Sequence, residues 1–127
     1  MTEVLAPFPD VEVVLLELLE PVASTCTATP PTITPPLIRV VRTGGSDDGI
    51  TDSPVVEVTC IGADRQASWA LSEQCRQVIL ASPNTVVAGV LIDYAATFTP
   101  PQQIPDPDLD KRSVTSNYEL AFRRPRT

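Results

Sequence analysis

Leu37 to Ile61 reads LIRVVRTGGSDDGITDSPVVEVTCI, and the way its two ends are joined decides the fold. Both ends are rich in β-branched residues: Leu37-Ile38-Arg39-Val40-Val41-Arg42 on one side, Val55-Val56-Glu57-Val58-Thr59-Cys60-Ile61 on the other. That is the composition of half-buried strands. Between them Thr43 to Pro54 carries three aspartates and three glycines in twelve residues. Two adjacent strands with a glycine-rich connection predict a β-hairpin. Twelve residues exceed the about two to five a hairpin loop usually takes, so the connection is expected to make an excursion.

The chemistry of that connection is limited. DDGITD shares only composition with a calcium loop, because D-x-[DN]-x-[DN]-G needs alternating ligands and a distal glutamate, and neither occurs at that spacing. Its glycines do not match G-x-x-x-x-G-K-[ST], and carboxylates beside a phosphate repel it. A turn is the remaining reading, with glycines supplying unusual backbone angles and aspartates keeping it wet and negative.

On the N-terminal side, Pro7-Phe8-Pro9-Asp10 precedes VEVVLLELLE. Val11, Val14, Leu15, Leu18 and Val22 recur at helical spacing while Glu12, Glu17 and Glu20 punctuate the run, which predicts an amphipathic helix over about 10–20. Asp10 and Glu12 suit its positive end, and Pro21 stops it because it has no N–H to bond back to Glu17. Residues 23–36, with STCTATPPTITPP, cannot sustain a helix or a central strand and predict an extended connector.

On the C-terminal side, Asp64 to Leu80 (DRQASWALSEQCRQVIL) predicts the clearest helix, with Asp64 as N-cap and an apolar line through Ala67, Leu71, Cys75 and Val78. At 100° per residue Trp69 points nearly opposite that line, alongside Glu73, Arg76 and Leu80. An outward Trp is either covered by another element or placed at a subunit interface, where Trp is enriched. Val86 to Phe98 predicts a third strand with Gly89 as a bulge or crossing point. Residues 99–110 form a second proline-rich connector. Ser113 to Arg123 alternates, with Val114, Ser116, Tyr118, Leu120 and Phe122 on one face, and predicts a fourth strand with one wet face. The order α-β-β-α-β-β gives one α+β domain over 1–127, with both helices on one face of a four-stranded, mostly antiparallel sheet.

Composition narrows the function. The 127 residues are 43% hydrophobic and 20% charged, with a formal net charge of −7, as expected for one folded domain that is no general nucleic-acid coat. Met1-Thr2-Glu3 opens no signal-like region and no stretch approaches a membrane span, so a soluble, non-secreted protein is expected. There is no histidine, and Cys26, Cys60 and Cys75 show no CxxC spacing. Ser–His and Cys–His nucleophile pairs are thereby excluded, and reduced, idle thiols are expected. The carboxylates Asp47 and Asp48, and Asp106, Asp108 and Asp110, fall in solvated loops where nothing shifts their titration. Arg123-Arg124-Pro125-Arg126 and Lys111-Arg112 are the basic clusters. The first is placed to touch a phosphate or an acidic neighbour, or to stay solvated. No catalytic constellation emerges, so a binding or structural part is expected.

Four stretches carry a family resemblance: FPDVEVVLLELLEP, the run PPLIRVVRTGGSDDGITDSPVVEVTCIGADRQASWALSEQCRQVIL, GVLIDYAATFTPPQQIPDPD and the closing YELAFRRPR. Together they resemble the tail terminator proteins of long-tailed phages that infect actinobacteria, over nearly the whole chain. The resemblance implies a virion protein of α+β fold, forming a hexameric ring on the last ring of the tail tube. Such a ring stops polymerisation of the major tail tube protein, presents a docking surface to the head connector, and lets DNA pass without sequence-specific binding. Other head-to-tail joining proteins, stoppers and adaptors, are similar in size and architecture. The resemblance brings no catalytic residue, cofactor or metal, and no membrane.

A ring needs two different faces of each copy to meet. The outward side of the second helix, Trp69, Arg76 and Leu80, is the expected subunit interface. Asp47, Asp48 and Asp52 are expected at the lumen or the tube-facing end, where negative charge would let the duplex slide. Arg123, Arg124 and Arg126 are the expected basic contact.

Overall fold

The structure is a computed structural model and describes residues 7–103 and 113–123. Helix α1 spans Val11–Leu19; its cap Asp10 accepts a hydrogen bond from the Glu12 backbone N–H at 2.9 Å. That satisfies one of the donors a first helical turn leaves free. Its buried stripe is Val11, Val14, Leu15 and Leu19. Leu18 and Val22, expected in the stripe, instead pack against the rim of the core.

The following elements are β1 (Ser24–Cys26), β2 (Leu37–Asp47), β3 (Thr51–Ile61), α2 (Arg65–Leu80), β4 (Val86–Val87), β5 (Val90–Leu91), β6 (Tyr94–Gln102) and β7 (Val114–Arg123). The main sheet runs β1-β2-β3-β7-β6, with β1 parallel to β2 and every other pairing antiparallel. The α+β class and the two helices on one sheet face hold. The sheet, however, is mixed and five-stranded rather than four-stranded.

Three boundaries differ from the sequence reading, each for a local reason. β1 lies inside the stretch read as connector, because Ser24-Thr25-Cys26 precede the prolines and can pair with Leu37, Ile38 and Arg39. Val86 to Phe98 is not one strand: Ala88 and Gly89 both take positive φ (52° and 74°), the geometry of a two-residue hairpin turn, so β4 folds back on β5. β6 then continues through Pro100 and Pro101 to Gln102, because it is an outer strand that need not donate on its free side. The ladder is broken there, with register shifts between Thr97 and Thr99 and between Thr99 and Gln102.

The opening stretch shows the largest change. Pairing of β2 with β3 continues to Asp47 opposite Asp52, leaving only Asp48-Gly49-Ile50 between the strands. The twelve-residue excursion is therefore absent, and most of TGGSDDGITDSP is ladder. A register shift between Arg42 and Gly44 and a φ of +115° at Gly45 absorb the extra residue.

The core lies between the helices and one sheet face. Ile38, Val40, Val56, Val58, Cys60, Tyr118, Leu120 and Phe122 meet Val11, Val14, Leu15, Leu19, Leu71, Cys75 and Ile79, with Ile92 closing one side. On α2 the buried positions are Ser68, Leu71, Ser72, Cys75 and Ile79, so the stripe is rotated from the expected Ala67–Val78 line. Ser68 occupies a buried position because its hydroxyl is fully used: it accepts from the Gly62 N–H at 2.8 Å and donates to the Asp64 carbonyl at 3.0 Å. Ser72 Oγ has no partner among the described residues.

Candidate functional site

The three groups of residues expected to act lie on different parts of the molecule. At the hairpin tip, Asp48 Oδ1 accepts from the Ile50 N–H at 2.9 Å and the Thr51 N–H at 2.7 Å, and Asp47 Oδ1 accepts from Gly49 at 3.1 Å. Contrary to the expectation that nothing there shifts it, those amide donors, Thr51 first and Ile50 next, hold the Asp48 carboxyl below its ordinary value. Both exposed aspartates tie the turn together. Among the described residues no group of three or more His, Cys, Asp or Glu side chains is arranged to hold a metal ion.

Asp52 stands apart from them. It sits on the helix-facing side of β3, opposite Phe122, and is only 2% exposed. Arg42 meets it in a fork: Nη1 to Oδ2 and Nη2 to Oδ1, both at 2.9 Å. The same arginine donates from Nε to the Gly44 carbonyl at 3.1 Å, and its backbone N–H donates to Glu12 Oε2 of α1 at 2.9 Å. Arg42 thus fastens the hairpin base to the first helix. A planar guanidinium suits this bidentate geometry, which a lysine could not reproduce. The charge of Asp52 is spent inside the fold.

On α2, Trp69 and Leu80 are 38% and 39% exposed, and Arg76 is half-buried. All three lie away from the stripe that meets the sheet. The spacing that predicted an outward tryptophan is thus visible in the fold.

The basic group is reached only at its first member. Arg123 closes β7 and lies 3.6 Å from Asp93 Oδ2, with its side chain 76% exposed. Arg124 and Arg126 lie outside the described residues, as do Asp106, Asp108, Asp110, Lys111 and Arg112.

The thiols and the buried phenol are structural. Cys60 Sγ donates to Cys75 Sγ at 3.7 Å, and both are fully buried. That hydrogen bond and the surrounding burial push the Cys60 thiol far above the ordinary cysteine range, so it is inert. Tyr118 is fully buried, its hydroxyl accepting from Ser116 Oγ at 3.1 Å.

Comparison with known families adds what these surfaces alone do not show. The family model for phage tail termination proteins matches residues 7–127. The chain belongs to that family. No curated protein matches it. Membership gives it a tail-terminator role, in the phage tail and in association with other tail components. Among the described residues no helix is long and apolar enough to cross a membrane.

Two surfaces of this tail termination protein escaped the sequence reading. A groove of about 730 Å³ lies beside α1, lined by Val13, Leu16, Glu17, Glu20, Ala23 and Thr25 among others. Its glutamates read in sequence only as the polar side of a helix, and the neighbouring β1 was not foreseen. Val86, Leu91, Tyr94 and Phe98 are also exposed, by 68%, 49%, 49% and 61%. They fall in the stretch read as a single third strand.

Proposed function

We propose that the protein forms a hexameric ring on the last ring of the tail tube of a long-tailed phage infecting an actinobacterium. The ring stops tube growth and offers its other end to the head connector. It is a structural part and carries no catalysis. Family membership supports the terminator role. The observation that carries the oligomer is the α2 face, where Trp69 and Leu80 remain more than a third exposed on the side turned from the core. Large apolar side chains held so on a rigid helix are characteristic anchors of subunit contacts.

In such a ring the hairpin tip, with Asp47 and Asp48, faces the lumen or the tube. Fixed negative charge there repels the DNA backbone over about a Debye length, roughly 8 Å at physiological salt, so the duplex passes without being held. Asp52 adds little to that field, because Arg42 neutralises it. Native mass spectrometry of the purified protein, alone and with the tail tube protein, tests the reading. The expected result is a sixfold mass that Trp69→Ala shifts toward monomer. An unchanged mass in the variant would sink the α2 interface, and a ring reconstruction with the hairpin on the outer circumference would sink the lumen placement.

A further inference from the structure

We propose that the groove beside α1 is the socket of the ring contact, and that it receives the Arg124-Pro125-Arg126 segment following β7 of an adjacent copy. The inference rests on the ring reading and names its second interface. The apolar part of the groove's lining includes Leu16, Ala23 and the 52%-exposed Val13. Glu17 and Glu20 line it as well, and among the described residues neither forms an ion pair. In contrast, Arg39, Arg42 and Arg123 already face Glu57, Asp52 and Asp93. The socket is therefore an apolar trough with two unused negative charges, in a chain of net charge −7 whose longest basic run is Arg123-Arg124-Pro125-Arg126.

An arginine-proline-arginine segment fits that chemistry. Guanidinium groups pair with carboxylates through two donors, and their methylene stems lie on apolar walls such as Val13 and Leu16. Pro125 brings no N–H that the trough would have to satisfy.

The sheet register decides which copy supplies the segment. Thr25, in the groove wall, stands opposite Ile38, and Ile38 opposite Cys60. Arg123 stands opposite Thr51, at the other end of β3. Cys60 and Thr51 are nine residues apart, which is about 30 Å along the strand. Arg126 lies three residues beyond Arg123, a reach of at most about 11 Å. The Thr25 end of the groove is thus beyond the segment's reach in its own chain. Filled from a neighbour, socket and plug are different surfaces, the heterologous relation from which a ring closes.

Charge reversal tests this. Glu17→Lys with Glu20→Lys, and separately Arg124→Glu with Arg126→Glu, should each lower the assembled fraction about tenfold at low salt in native mass spectrometry, with circular dichroism unchanged. Combining all four should restore assembly. Doubles that assemble like the wild type, or a folded quadruple variant that fails to recover, would overturn the pairing. So would the same loss and rescue on reversing Lys111 and Arg112, which would assign the groove to the segment before β7. A wild type that never assembles, even with tail tube protein, would defeat the ring itself. The socket is then read with a fluorescent peptide of sequence Arg-Arg-Pro-Arg-Thr titrated onto the Arg124→Glu/Arg126→Glu chain. Binding that Glu17→Lys/Glu20→Lys abolishes supports the socket, and no binding up to millimolar peptide overturns it.

Discussion

At the scale of single residues, the Arg42–Asp52 fork carries the clearest consequence. Removing the guanidinium leaves a carboxylate whose side chain is 3% exposed without its partner. Arg42→Ala should therefore cost on the order of 2 kcal/mol, less than a fully buried pair because Arg42 itself is 39% exposed. Asp52→Asn, which keeps an acceptor, should cost less, and the order of the two in urea unfolding checks the assignment. Sequence alone could not show this pairing. Asp52 lies in a run of glycine, serine and aspartate that reads as wet turn, and only the continued ladder turns it toward the helices. Tyr118 gives a pH dependence. Burial pushes its phenol up to about 12 from an unfolded value near 10. The folded state therefore favours the neutral form, and this contribution is fully present below pH 10 and lost between about 10 and 12. Stability should fall steeply over that window, and Tyr118→Phe should flatten the fall in alkaline melting curves.

At the scale of elements, the helices and strands with strong periodicity were legible and the weakly patterned segments were not. Asp64 caps α2 as its position predicted, accepting from the Ala67 N–H at 2.7 Å, and Asp10, expected at the positive end of α1, proves to be its cap. The alternation in Ser113 to Arg123 became β7, with Val114, Ser116, Tyr118, Leu120 and Phe122 buried. By contrast β1 and the distal half of the hairpin are built from Ser, Thr, Gly and Asp, whose strand conformation is imposed by neighbouring strands and not by propensity. The rotated stripe of α2 was not legible because serine is polar by composition, yet Ser68 is buried with its hydroxyl bonded to Gly62 and Asp64. The hairpin offers a matched pair of tests. At Gly45 a Cβ would collide with the Ser53 carbonyl oxygen and φ is +115°, whereas at Gly44 the space is open. Gly45→Ala should destabilise by roughly 1–3 kcal/mol, and Gly44→Ala by much less, in thermal melts. Equal effects would mean that the hairpin base is looser than the register implies.

At the scale of the whole molecule, the family role was legible because its motifs are spread along nearly the entire chain. The socket groove was not, since it joins α1 to a strand that composition concealed. Past Arg39, where the three-residue β1 ends, β2 is a free edge on one side of the sheet, β6 is the edge on the other, and each is interrupted. On β2 the Arg42 N–H is already taken by Glu12, and on β6 the register breaks and Pro100 and Pro101 withhold donors. Such features blunt the edge-to-edge addition of further strands. Glu12→Ala should accordingly raise the rate of turbidity growth in concentrated solution without shifting the melting temperature by more than a few degrees. A soluble, unchanged variant would show that the edge needs no such cover. The consequence reaches the biology of the part. In the proposed ring, which ends one polymer and must not begin another, a blocked backbone edge would confine self-association to side-chain surfaces, whose geometry counts copies where a sheet edge would simply go on adding them.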